Sequence, residues 1–178
     1  RQLWAYAVDQ NFLDEICQME QLELLHLDKV TATDLSSRRK LSKLTSLTVI
    51  NASKVQDLAW VPQHAGLQAI AIGELKAIHD LTPLSTLTHL RALGVEGGVW
   101  TPMQVATLAP LAALSNLESL FITNLQVTDK SLQPLHALAN LRVLQCAQFF
   151  ARDALDSHAA PRPELRCDWF DEASWRPE

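Results

Sequence analysis

Leucine recurs every third residue through AIHDLTPLSTLTHLRAL, at Leu81, Leu84, Leu87 and Leu90, and again at Leu132, Leu135, Leu138 and Leu141. A strand buries every second residue, and an amphipathic helix mixes threes with fours. A spacing of three keeps side chains on one face only over a short 3₁₀-type segment or a helical turn or two. After each run the pattern changes. The segments LELLHLDKV, LTSLTVINA, LQAIAIGEL, LRALGVEGG, LESLFITNL and LRVLQCAQF start at Leu22, Leu44, Leu67, Leu90, Leu117 and Leu141, and superpose without gaps. Successive starts lie 22, 23, 23, 27 and 24 residues apart.

Within each segment an aliphatic residue stands three positions after the start and an apolar one five after. The pairs are Leu25 and Leu27, Leu47 and Val49, Ile70 and Ile72, Leu93 and Val95, Leu120 and Ile122, Leu144 and Cys146. Alternation confined to that window predicts a brief strand with one face inward. Leu3 and Ala5 begin the series as a partial copy, and Leu165 and Cys167 offer another at the end. Between strands stand Asn11, Asp34, Asp57, Asp80, Thr101 and Asp129, residue types whose side-chain oxygen accepts from free backbone N–H groups at a helix start. Thr101 precedes Pro102, which suits a first helical position. The long repeat from Leu90 to Leu117 therefore predicts a longer helical return through Met103, Leu108, Leu111 and Leu114, with Gly97 and Gly98 as a flexible joint before it. This insert is read as tolerated length variation, with a contact role as its alternative.

No single unit of this kind can bury its apolar face, whereas stacked neighbours can. The arrangement resembles the leucine-rich repeat, L-x-x-L-x-L followed by a return segment, over nearly the whole chain. VQDLAWV, IHDLTPLSTLTHL and VTDKSLQPLHALANL resemble bacterial short repeats, both the internalin-like kind and the kind with a V/I-T-D phrase. The position eight after each start, often Asn or Cys in such families, is here Val30, Ala52, Leu75, Gly98, Leu125 and Phe149, so that asparagine ladder is absent. The resemblance implies an α/β fold: a right-handed solenoid with a parallel concave sheet and short helical or 3₁₀ convex segments. Residues 1–149 hold about seven repeats, and 150–178 form a C-terminal cap and tail with Phe149, Phe150, Trp169 and Phe170 as cap residues. No comparable cap is visible at Arg1.

Composition narrows the function. In 178 residues, 48% are hydrophobic, enough for a continuous core. The net charge of −5 gives no general attraction to nucleic acid or anionic lipid and mildly favours a basic partner. The odd cysteine count, Cys17, Cys146 and Cys167, is no disulfide framework and fits a reducing compartment. No signal peptide or membrane span is visible, which favours a cytoplasmic protein, with a secreted effector as the alternative; the missing initiator Met suggests a processed chain. Cys146 and Cys167 share an inward position on successive strands and are expected to be close, reduced and unreactive.

Catalytic constellations do not emerge. The six histidines, His26, His64, His79, His89, His136 and His158, show no H-x-x-x-H spacing, and there is no C-x-x-C, Gly-rich phosphate loop or G-x-S-x-G. A non-enzymatic protein without cofactor or metal is expected. Arg38, Arg39, Lys40 and Lys43 read as a solvated basic face.

Offsets two, four and six point out of the strands. In the resembled fold they form the concave surface that repeats of this type present to another protein. The candidate contact residues there are Trp4, Tyr6, His26, Asp28, Thr48, Ala71, Gly94, Glu96, Phe121 and Gln145. Small residues at Ala71 and Gly94 make a trough, with aromatic rings toward its ends as anchors. Asp28, Glu74 and Glu96 line one rim, interrupted by Lys29, and read as solvated charges with a Lys- or Arg-bearing ligand as the alternative. The expectation is a protein-binding module, monomeric, with a partner of unknown identity. Rival readings are the targeting part of a longer effector or enzyme, and a structural or self-associating protein.

Overall fold

A computed structural model describes residues 1–36, 41–98, 100–146 and 149–168. The basic residues Arg38, Arg39 and Lys40 and the proposed cap residues Trp169 and Phe170 lie outside it. The strands are β1 (Gln2–Tyr6), β2 (Leu24–Asp28), β3 (Ser46–Ile50), β4 (Ala69–Gly73), β5 (Ala92–Glu96), β6 (Met103–Val105), β7 (Ser119–Ile122), β8 (Leu125–Val127) and β9 (Val143–Cys146). A seven-stranded parallel sheet runs β1-β2-β3-β4-β5-β7-β9, and β6 pairs with β8 in a second small sheet.

Register follows the sequence alignment position by position: Leu25 pairs with Leu47, Leu47 with Ile70, Ile70 with Leu93 and Leu93 with Leu120. The inward residues therefore stack into columns, and Leu25, Leu93 and Leu120 are fully buried. Return segments complete the core. Short 3₁₀ helices occupy Val61–His64, Thr82–Thr86, Ala109–Ala113 and Gln133–Ala137, each with proline in its first turn. Leu84, Leu87 and Leu90 are fully buried, as are Leu111, Leu114 and Leu117. The spacing of three is satisfied by one 3₁₀ turn followed by a descent into the next strand.

The polar landmarks act differently from the expectation. Asp34, Asp57, Asp80 and Asp129 each accept from the N–H two residues ahead, on Ser36, Ala59, Thr82 and Ser131 at 2.7, 2.9, 2.8 and 3.0 Å. These are Asx turns leading into the return segment, not caps of an α-helix. Asn11 lies inside helix α1 (Gln10–Ile16), whose cap is Asp9, accepting from Phe12 N–H at 2.9 Å. Thr101 caps nothing: its N–H and carbonyl exchange hydrogen bonds with Gly98. The landmark of that repeat is Thr107, whose hydroxyl accepts from Ala109 N–H at 3.1 Å.

The long repeat contains a strand where a helix was expected. Met103 and Val105 turn inward against Leu125 and Val127, while Gln104 donates to Gln126 across the pair at 3.1 Å. Period-two burial over MQV and LQV wins over the proline signal at Pro102. Neither Gly97 nor Gly98 has positive φ. A Cβ at Gly97 would stand 2.7 Å from Met103 N, so close backbone approach is what demands glycine there.

Four copies end their strand in a left-handed residue seven after the start, Lys29 (φ 51), Asn51 (φ 54), Glu74 (φ 56) and Asn124 (φ 51), as does Ala7 (φ 55) in the first copy, whereas Gly97 in the long repeat does not. Each such turn costs about 1 kcal/mol for a non-glycine residue. The turns are tied sideways. Asn51 donates to Gly73 carbonyl at 3.1 Å and Glu74 to Glu96 carbonyl at 3.0 Å. A ladder-like side-chain role also exists, at the position preceding the start: Asn116 donates to Thr88 carbonyl at 2.8 Å and Asn140 to Ser115 carbonyl at 2.9 Å.

Candidate functional site

Five of the expected contact residues share one depression on the outward face of the large sheet. Thr48, Ala71, Gly94, Glu96 and Phe121 line about 180 Å³ across β3, β4, β5 and β7. In-register pairing places Thr48 beside Ala71, Ala71 beside Gly94 and Gly94 beside Phe121. The floor is shallow because its side chains are minimal; a Cβ on Gly94 would sit 3.3 Å from that of Ala71. Phe121 is one wall of the trough. At the rim, the Glu96 carboxylate accepts from the Thr123 hydroxyl.

Trp4, Tyr6, His26 and Asp28 form a separate cluster on β1 and β2. Trp4 and Tyr6 are 76% and 64% exposed, unusual for large apolar side chains in a chain with a full core. The Trp4 ring packs against His26 at 5.4 Å between centroids. Lys29 reaches over the Tyr6 ring at 5.5 Å, so the cation expected to break the acidic rim is engaged by an aromatic face. Asp28 accepts from Asn51 Nδ2 at 2.9 Å. The cluster does not line the trough, which begins at β3, two strand spacings or about 10 Å from β1. Gln145 stands exposed on β9 beside Phe121.

Two features escaped the sequence reading. Glu74, Lys76, Gly98, Trp100, Thr101 and Met103 surround a depression of about 210 Å³ at the insert. Trp100 is 93% exposed there, at the tip of a turn closed by reciprocal bonds between Gly98 and Thr101 of 2.9 and 3.3 Å. Asn124 also donates to the Gly98 carbonyl. A tryptophan between a glycine pair and a proline was the available signal. The second feature is a polar depression of about 530 Å³ along the edge where strands begin, which includes His89, Arg91, Asn116, Glu118 and Asn140. Its groups hold one another: Arg91 pairs with Glu118 at 2.6 Å, and both asparagines bond the preceding repeat. That edge is chiefly a repeat-to-repeat contact.

Beyond β9, helix α2 (Arg152–Ala159) lies over the last return segment. His158 is fully buried and stacks on His136 at 4.9 Å. Arg162 Nη1 donates to His158 Nδ1 at 3.1 Å, and Nη2 donates to the His136 carbonyl at 2.6 Å. A guanidinium has no acceptor, so the imidazole accepts and is neutral. Burial first, then the Arg162 and His136 charges, push its pKa down to about 4. Cys146 Sγ and Cys167 Sγ lie 3.9 Å apart in a thiol contact. Contact with Cys167, then burial, raises the Cys146 pKa. Among the described residues no group of three or more His, Cys, Asp or Glu is placed to hold a metal ion, and no helix is long and apolar enough to cross a membrane.

No protein-family model matches the sequence, and no curated protein matches it. Among solved structures the chain is similar to internalin C2 from Listeria monocytogenes, with a TM-score of 0.68 and 24% identity over 93% of this chain and 69% of that one. It is also similar to internalin F of the same organism, with a TM-score of 0.61 and 23% identity over 86% of this chain and 49% of that one. The fold is that of a leucine-rich repeat.

Proposed function

We propose that the protein is a recognition module that binds a partner protein through the outward face of its large sheet, and carries out no chemistry of its own. One observation supports this above the others: the face combines a small-residue trough across four strands with two largely exposed rings at Trp4 and Tyr6. Aromatic anchors beside a shaped recess are the usual composition of an interface centre. Glu96 and Asp28 add negative charge, so a partner segment bearing Lys or Arg fits best. We read residues 150–178 as the closing element of the stack, outside the contact surface.

The test compares the parent with Ala71→Arg, which fills the trough, and Trp4→Ala, which removes an anchor, as baits in lysate of the native organism. All three should melt alike, since Ala71 points outward and Trp4 is exposed. A protein retained by the parent and lost from both variants supports the reading. Equal retention by all three would move the site elsewhere.

A second reading draws on the length of internalin F, of which this chain spans 49%. In it these repeats are the recognition part of a longer protein. An intact mass of the natural product well above 19.8 kDa supports that reading.

A further inference from the structure

We propose that Cys146 and Cys167 are a reversible dithiol–disulfide site, which on oxidation by a low-molecular-weight disulfide ties the last full repeat to the segment that follows it. The two thiols are already neighbours, with Sγ atoms 3.9 Å apart. Backbone pairing holds them there: Val143 bridges Arg166 in parallel, Leu144 donates to Arg166 carbonyl at 2.9 Å, and Arg166 donates to Arg142 carbonyl at 2.8 Å. The bridge sets Cys167 level with Leu144, two residues before Cys146, so the thiols meet on a diagonal between the paired segments. Bond formation brings the sulfurs from 3.9 Å to about 2.05 Å.

Exposure sets the order of events. Cys146 is buried at 4% exposure, whereas Cys167 is half-buried and accessible to a small molecule. The Cys167 thiolate attacks one sulfur of the small disulfide; a bond forms to Cys167, the small molecule's S–S bond breaks, and one small thiolate leaves and takes up a proton. Cys146 then loses its proton to solvent and attacks the Cys167 sulfur, expelling the second small thiol. The protein gives up two electrons and two protons, and the small disulfide becomes two thiols. The foremost cause holding Cys146 as a thiol is its contact with Cys167, and that contact is consumed in the first step. Inert apolar filling accounts for Cys146 but not for the partial exposure of its neighbour. Cys17, buried at the end of α1 near the opposite edge of the sheet, cannot compete.

The experiment incubates the folded full chain with oxidised glutathione and reads intact mass, linked peptides and melting temperature. The expected product has lost two hydrogen masses, carries a Cys146–Cys167 link, and melts roughly 5–10 °C higher, since the bond closes a loop between positions 21 apart. Dithiothreitol should reverse both changes. Cys17→Ser should behave as the parent, and Cys167→Ser should neither lose hydrogens nor gain stability. A chain that remains a dithiol, one that stops with glutathione on Cys167, or one that links through Cys17 would each overturn the proposal. Reduced melting curves of both variants, matched to the parent, show that the comparison is made between folded proteins.

Discussion

His158 carries more consequence than its place in a terminal helix suggests. It is buried, neutral and bonded by Arg162, while His136 faces it from the last return segment. Its folded pKa of about 4 lies below the ordinary histidine value, so between pH 6.5 and 4 the unfolded chain binds the proton and the folded chain does not. Stability from this residue is complete above pH 6.5 and falls as pH drops toward 4, by up to about 3 kcal/mol. Urea titrations at pH 7 and pH 4.5 should show the parent losing more stability than His158→Leu over that interval. Equal losses would mean that His158 is not held neutral. Glycines give a second contrast at this scale. Gly97→Ala should destabilise by about 1–3 kcal/mol, because backbone atoms leave no room for the methyl. Gly66→Ala meets nothing within 4 Å and should be neutral or stabilising by up to about 1 kcal/mol in the same melts.

Elements show how far the sequence could be read. The inward columns were legible because each strand fixes its own pattern: Leu93 and Val95 must be buried whatever lies beside them. The second sheet was not, because Met103–Val105 becomes a strand only by meeting Leu125–Val127, and that pairing joins different repeats. Thr101-Pro102 gave a local signal for a helix, and a non-local contact decided the outcome. The aspartates were found correctly and assigned the wrong geometry, since a 3₁₀ start and an α start want the same side-chain oxygen at different offsets. This distinction is measurable. Asp80 has its pKa lowered by hydrogen bonds from the Thr82 side chain and N–H, which exist only in the fold. Asp9→Ala should cost about 1 kcal/mol as loss of a true cap, and Asn11→Ala much less; equal costs in chemical denaturation would restore Asn11 as the landmark. On the candidate face the membership of Ala71, Gly94 and Phe121 was legible from offsets alone. The separation of Trp4 and Tyr6 from the trough was not, because it depends on which depression the neighbouring side chains leave open.

At the scale of the molecule, each strand of the large sheet pairs only with its immediate neighbours, so a change propagates through adjoining repeats. Position along the stack should then decide how a core deletion is felt. Leu93→Ala empties a fully buried site on the interior strand β5, with β4 on one side and β7 on the other. It should cost about 2–5 kcal/mol and raise amide exchange across the whole sheet, because no repeat is insulated from the middle. Leu165→Ala removes a buried residue from the segment beside β9, where only one side is covered by the sheet. Its effect should be confined to β9, α2 and the return segment beneath, leaving protection in β2 to β4 unchanged. Residue-resolved hydrogen exchange on the two variants distinguishes a stack of coupled neighbours from a single all-or-none unit. Uniform loss of protection in both would establish the latter, and would require the contact between α2 and the last return segment to bind as tightly as the central columns do.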